Sequence, residues 1–140
     1  MRQLAAVLLS CALFSAVLLA GPATEAHAQA SGQAVVDDAR SYIGTPYGAY
    51  VMDCSGFTSA VFADLGVYLP DSPGTQYAYG TPSYGKAGDL VFFDEHGYGI
   101  SHVGIATGYG TVIHASTYYG TVVESSMQYI PGYAGAVDAY

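Results

Sequence analysis

The chain is short of three things, and each shortage removes a class of function. Beyond an N-terminal apolar stretch it has a single cysteine, Cys54, so no internal disulfide can staple the fold and the odd thiol needs another explanation. It has almost no positive charge: Arg40 and Lys86 are the only lysine and arginine after Arg2, and the formal net charge is −8. Nucleic-acid binding, which rests on neutralising phosphates, is excluded on that ground, and so is electrostatic adhesion to anionic membranes or wall polymers. It also lacks tryptophan, and the aromatic content is carried by 14 tyrosines, read as core and groove lining. No internal repeat or low-complexity tract is present.

The one long apolar run lies at the start. Arg2 precedes an uncharged stretch over 4–20, Gly21-Pro22 ends it, and Ala26-His27-Ala28 offers the small-x-small pattern of a processing site, with Ala28-Gln29-Ala30 as the alternative. A signal peptide over 1–28 is expected, with the remainder secreted. A retained anchor is the rival, since the run approaches the ~20 residues needed to span a bilayer. A lipoprotein reading through Cys11 leaves too short an apolar segment before the cysteine. Residues 29–140 suffice for one domain, in which roughly two thirds of the unfolded surface is buried, so a core without disulfides is feasible.

Apolar residues at 35, 36, 39, 42 and 43 have helical spacing, and Gly44 suits a stop. Thr45 to Met52 reads as a loop. Asp53 is a strong N-cap, and Phe57, Ala60, Val61, Asp64 and Leu65 predict a second helix behind it, ending at Gly66. Turn chemistry over 69–74 leads to a short helix through Gln76 and Tyr79. From Gly88 the pattern becomes strands, at 90–93, 102–107, 111–115, 121–124 and 133–138. Helices first and strands afterwards predict an α+β fold, with helices on an antiparallel sheet of about five strands.

Cys54 therefore falls at the first position of a helix, where unpaired N–H groups and the helix dipole favour thiolate. The free N–H groups near Cys54 and Ser55 would suit the oxygen of a tetrahedral intermediate. His102 and His114 flank Gly108-Tyr109-Gly110. If these three residues are the hairpin loop, 107 pairs with 111 and 104 with 114, and the two histidines are diagonal neighbours on one face. A two-residue loop would separate them. On one face, His102 can accept the thiol proton and His114 can fix its tautomer. A zinc site built from Cys54, His102 and His114 is the rival; it lacks a fourth ligand and a close pair, so no metal and no cofactor are expected. His96, in the loop after Asp94-Glu95, reads as solvated surface.

Asp53-Cys54-Ser55-Gly56-Phe57, Gly88-Asp89-Leu90-Val91-Phe92-Phe93, Ser101-His102-Val103-Gly104-Ile105 and Ile113-His114-Ala115 occur in this order. Together with Leu69-Pro70, Gln76 and Gly80, they resemble the NlpC family of bacterial cell-wall cysteine peptidases from about residue 37 to 138. The resemblance implies a minimal papain-like fold with Cys54 as nucleophile, His102 as general base and His114 as the polar third residue. It further implies cleavage of peptidoglycan stem peptides between D-glutamate and a diamino acid. Tyr47 matches a tyrosine near the family's oxyanion site, although the short segment 48–52 leaves Tyr50 as an alternative. Asp53, Ser55 and Ser101, which flank the nucleophile and base in these motifs, complete the candidate oxyanion and substrate-binding set. The expected molecule is a secreted monomer, free of the membrane once the signal is removed, whose partner is the stem peptide. An amidase acting at the sugar–peptide link and a non-hydrolytic wall-binding or toxin-like module are the alternatives.

Overall fold

The computed structural model describes residues 31–140, so the expected signal peptide and Cys11 lie outside the described residues. These residues form three α-helices and one six-stranded antiparallel sheet. The helices are α1 (Gly32–Ser41), α2 (Cys54–Asp64) and α3 (Pro73–Tyr79). The strands are β1 (Thr81–Ser83), β2 (Leu90–Phe93), β3 (His102–Ala106), β4 (Thr111–Ser116), β5 (Thr121–Ser126) and β6 (Tyr133–Asp138), in spatial order β1-β6-β2-β3-β4-β5. The expected α+β class holds. The sheet has one strand more than the sequence pattern predicts: β1, an edge strand containing Pro82, where a missing N–H is tolerated.

Strand alternation divides the core in two. Leu90, Phe92, Val103, Ile105, Ile113 and Ala115 face α1 and α2, and pack with Val35, Val36, Phe57, Val61 and Phe62. Val91, Phe93, Ala106 and Val112 form a smaller cluster on the other face, against Met127 and Ile130. His102 and His114 share the parity of Ala106 and Val112. They therefore lie on the face away from α1 and α2, while Cys54 arrives from the helical layer.

The β3–β4 hairpin has the odd loop that the chemistry requires. Ile105 pairs with Ile113 and Ala106 with Val112, and the Thr107 amide donates to the Thr111 carbonyl at 3.1 Å. Gly108 and Gly110 take φ of 86° and 80° in the turn, a region favourable to glycine.

Gln76 joins α3 to α2. It is fully buried, yet its amide nitrogen donates to the Ser55 carbonyl, the Ser59 hydroxyl and the Pro70 carbonyl, and its oxygen accepts from Thr58 at 2.7 Å. A satisfied buried amide of this kind specifies one register between the two helices. Asp89, also buried, accepts from Ser83 Oγ and from the amides of Gly85 and Lys86, which fixes the turn leading into β2.

Candidate active site

Asp53 starts α2 as the sequence predicts. Its Oδ1 accepts from the Gly56 amide at 2.7 Å and from Ser55 Oγ at 3.3 Å, so the carboxylate serves the helix cap. The loop before it is tight: Tyr50 and Val51 both have positive φ, at 53° and 58°, inside a 3-10 turn over Ala49–Val51. Two consecutive non-glycine residues in the left-handed region, one of them β-branched, are costly and concentrate at functional sites. The Val51 carbonyl accepts from the Asp53 amide, and a Cβ on Gly56 would collide with that carbonyl oxygen. Gly56 thus lets the loop press against the first turn of α2.

Cys54 sits beside the start of β3. Its Sγ donates to the Ser101 carbonyl at 4.0 Å, and the Val103 amide points at the sulfur, so the thiol contacts backbone on both sides of His102. Burial pushes the thiol up from its ordinary range. The amides of Val103, Ser55 and Cys54 pull in the opposite direction but do not prevail. Loss of water at the sulfur thus works against the thiolate that the helix terminus favours.

His102 Nε2 lies 2.8 Å from His114 Nδ1, with the rings nearly perpendicular. His114 Nε2 in turn lies 3.0 Å from Ser125 Oγ. Both imidazoles are buried, and desolvation lowers both to about 4, with His114 adding to the shift at His102. Gly104 makes the contact possible. It lies opposite His114 on the same face, and a Cβ there would stand 2.5 Å from Val112 Cγ2 and 3.0 Å from His114 Cβ.

These residues line one cavity of about 470 Å³: Cys54, His102, His114, Ser101, Ser125 and Tyr47 among them. Tyr118, Tyr119 and Tyr129 form an aromatic wall. Tyr47 lines the cavity, whereas Tyr50 does not and is 92% exposed. Burial, followed by the nearby acidic groups Cys54, Asp53 and Glu95, pushes the Tyr47 phenol up. Asp53 and Ser55 support the nucleophile from behind and do not line the cavity. Among the described residues no three His, Cys, Asp or Glu side chains are grouped to hold a metal, and the facing nitrogens of the two imidazoles are turned on each other. Ser125 and Glu95 were not singled out by the sequence. Only the pairing of β5 with β4, Val112 opposite Ser125, reveals that Ser125 is a diagonal neighbour of His114.

Comparison with known proteins matches residues 40–133 to the NlpC/P60 family. The chain belongs to this family. A protein of Corynebacterium glutamicum named a probable endopeptidase is 42% identical over 126 residues, covering 84% of this chain and 59% of that protein. A gamma-DL-glutamyl hydrolase of Bacillus subtilis is 43% identical over 93 residues, covering 59% of this chain and 22% of the relative. The chain thus spans less than two thirds of the length of these relatives. The crystal structure of the NlpC/p60 domain of the peptidoglycan hydrolase SagA superposes with a TM-score of 0.69 at 36% identity, covering 78% of this chain and 99% of that one. The matched residues 40–133 include the cap of α2, the β3–β4 hairpin and the cavity lining.

Proposed function

We propose that the protein is a secreted cysteine endopeptidase that hydrolyses peptidoglycan stem peptides at the D-glutamyl–diamino acid bond through a thioester on Cys54. The observation that carries this reading is the hydrogen-bonded series His102–His114–Ser125, ending in the cavity that Cys54 lines. The peptidoglycan hydrolase SagA and the gamma-DL-glutamyl hydrolase of Bacillus subtilis support the substrate class and the glutamyl bond.

The series accommodates the proton arrangement that this chemistry needs. For His102 Nδ1 to act as base, Nε2 must carry the hydrogen and donate to His114 Nδ1. His114 then carries its hydrogen on Nε2 and donates it to Ser125 Oγ. Cys54 Sγ attacks the amide carbon while its proton passes to His102 Nδ1. The C–N bond breaks, the leaving amine takes that proton, and a thioester remains. Water attacks the thioester, giving one proton to His102, and the returning proton restores the thiol as the carboxylic acid leaves. Amides of the first turn of α2, with the Tyr47 hydroxyl, are the candidate donors to the oxyanion. His114 and Ser125 act as positioning residues.

Mass spectrometry of digested peptidoglycan tests the reading. Stem cleavage by the wild-type chain and none by Cys54→Ala is the expected result. Release of whole stems from the sugar would replace it with an amidase. Wall binding without products from either form would overturn it in favour of a non-hydrolytic module. Localisation outside the membrane follows from the expected signal peptide and is checked by N-terminal sequencing of protein from the culture medium.

A further inference from the structure

The cavity is lined by one carboxyl side chain, Glu95, and by no lysine or arginine. The two cations among the described residues are engaged elsewhere, Arg40 with Glu124 at 3.3 Å and Lys86 with Asp138 at 2.6 Å. An incoming peptide therefore meets a single fixed charge, and it is negative.

The loop between β2 and β3 holds Glu95 in place. Asp94 Oδ1 accepts from the amides of Gly97 and Tyr98 at 2.7 and 3.0 Å, and the Asp94 amide donates to the Gly132 carbonyl at 2.7 Å. The Glu95 amide donates to Ser101 Oγ at 3.1 Å, which ties its backbone to the residue before His102. Glu95 is itself half-buried, yet among the described residues its carboxylate has no hydrogen-bond or ion-pair partner. A carboxylate in a concave, partly dehydrated site is stabilised by a cation, and here only the ligand can bring one. In the proposed reaction His102 hands its proton to the leaving amine, and Glu95 is tied to Ser101, the neighbour of His102, which is the ground for matching it to the leaving half.

We propose that Glu95 is a specificity-determining residue that pairs with an ammonium group on the leaving half of the substrate, the side-chain amine of the diamino acid. This rests on the stem-peptidase reading above and deepens it. It makes the site selective for a stem whose diamino acid keeps its second amine free, against one whose amine is acylated by a cross-link.

Two synthetic stem tripeptides with a γ-linked D-glutamyl-lysine bond, one with a free ε-amine and one Nε-acetylated, provide the test. The wild-type chain should cleave the free-amine peptide about fivefold better in kcat/KM, the upper end for a partly exposed ion pair, and added salt should shrink that ratio. Glu95→Gln should bring the ratio close to one, and Glu95→Lys should invert it. Equal cleavage of both peptides by the wild type, or a ratio unchanged in Glu95→Gln, overturns the assignment. Calorimetry with Cys54→Ala separates this outcome from failure of the peptidase reading. If no peptide is cleaved, preferential binding of the free-amine peptide, lost on adding Glu95→Gln, still supports the pairing, and equal binding sinks it.

Discussion

His114 stands between two partners, with Nδ1 2.8 Å from His102 Nε2 and Nε2 3.0 Å from Ser125 Oγ, so both of its ring nitrogens are engaged and Nδ1 of His102 is the nitrogen left outside the series. Ser125→Ala should lower kcat about fivefold with little change in KM, which corresponds to one net hydrogen bond of about 1 kcal/mol. The acidic limb of the pH–rate profile should shift as well, and Ser125→Thr should restore both. An unchanged profile with a lower melting temperature would assign Ser125 a merely structural role.

The resting protonation of the nucleophile is open to direct measurement. With burial pushing the Cys54 thiol up and holding His102 down at about 4, thiol and neutral imidazole are the forms expected at neutral pH. The rate of alkylation by iodoacetamide should therefore keep rising through pH 9. A plateau between pH 5 and 7 would instead indicate a thiolate–imidazolium pair.

The buried histidines also set the acid limit of the fold. Both titrate at about 4 when folded against an ordinary value of 6.5, so the unfolded chain binds more protons between those values. Stability is complete above about pH 6.5, falls as pH drops through that window, and levels off below pH 4 as far as these two groups are concerned. Melting temperatures measured from pH 7 to pH 4 should show the decline, and His114→Gln should flatten it.

Gly104→Ala tests the space between the imidazoles. The new methyl would press on Val112 Cγ2 and His114 Cβ, and overpacking of this kind costs about 1–3 kcal/mol. Activity assayed well below the melting temperature should fall further than the loss of folded protein explains, because His114 must move off His102. Full activity in a folded Gly104→Ala protein would show that the relay tolerates displacement.

What could be read from the sequence was governed by short-range rules. The Asp53 cap and the parity of His102 and His114 depend on residues a few positions apart, and both are present as expected. β1 escaped because Thr81-Pro82-Ser83 has turn composition, and its partner β6 lies more than fifty residues away. Ser125 escaped because its place beside His114 depends on the register of a further strand pair, and the pattern ends the strand at Glu124. The burial of the thiol was not legible for the same reason: the helix terminus is local, while the burial that opposes its effect comes from the end of β3. Glu95 looks like loop surface until the cavity wall is assembled around it.

Cys54 is the one cysteine among the described residues, and the fold around it is held by packing and by satisfied amides such as Gln76. Architecture and thiol chemistry consequently rest on different groups. Any reagent that modifies the thiol therefore acts on the cavity, while no strand pairing or helix contact among the described residues depends on a sulfur bond. In a protein of this build, losing the thiol and losing the fold are separate events.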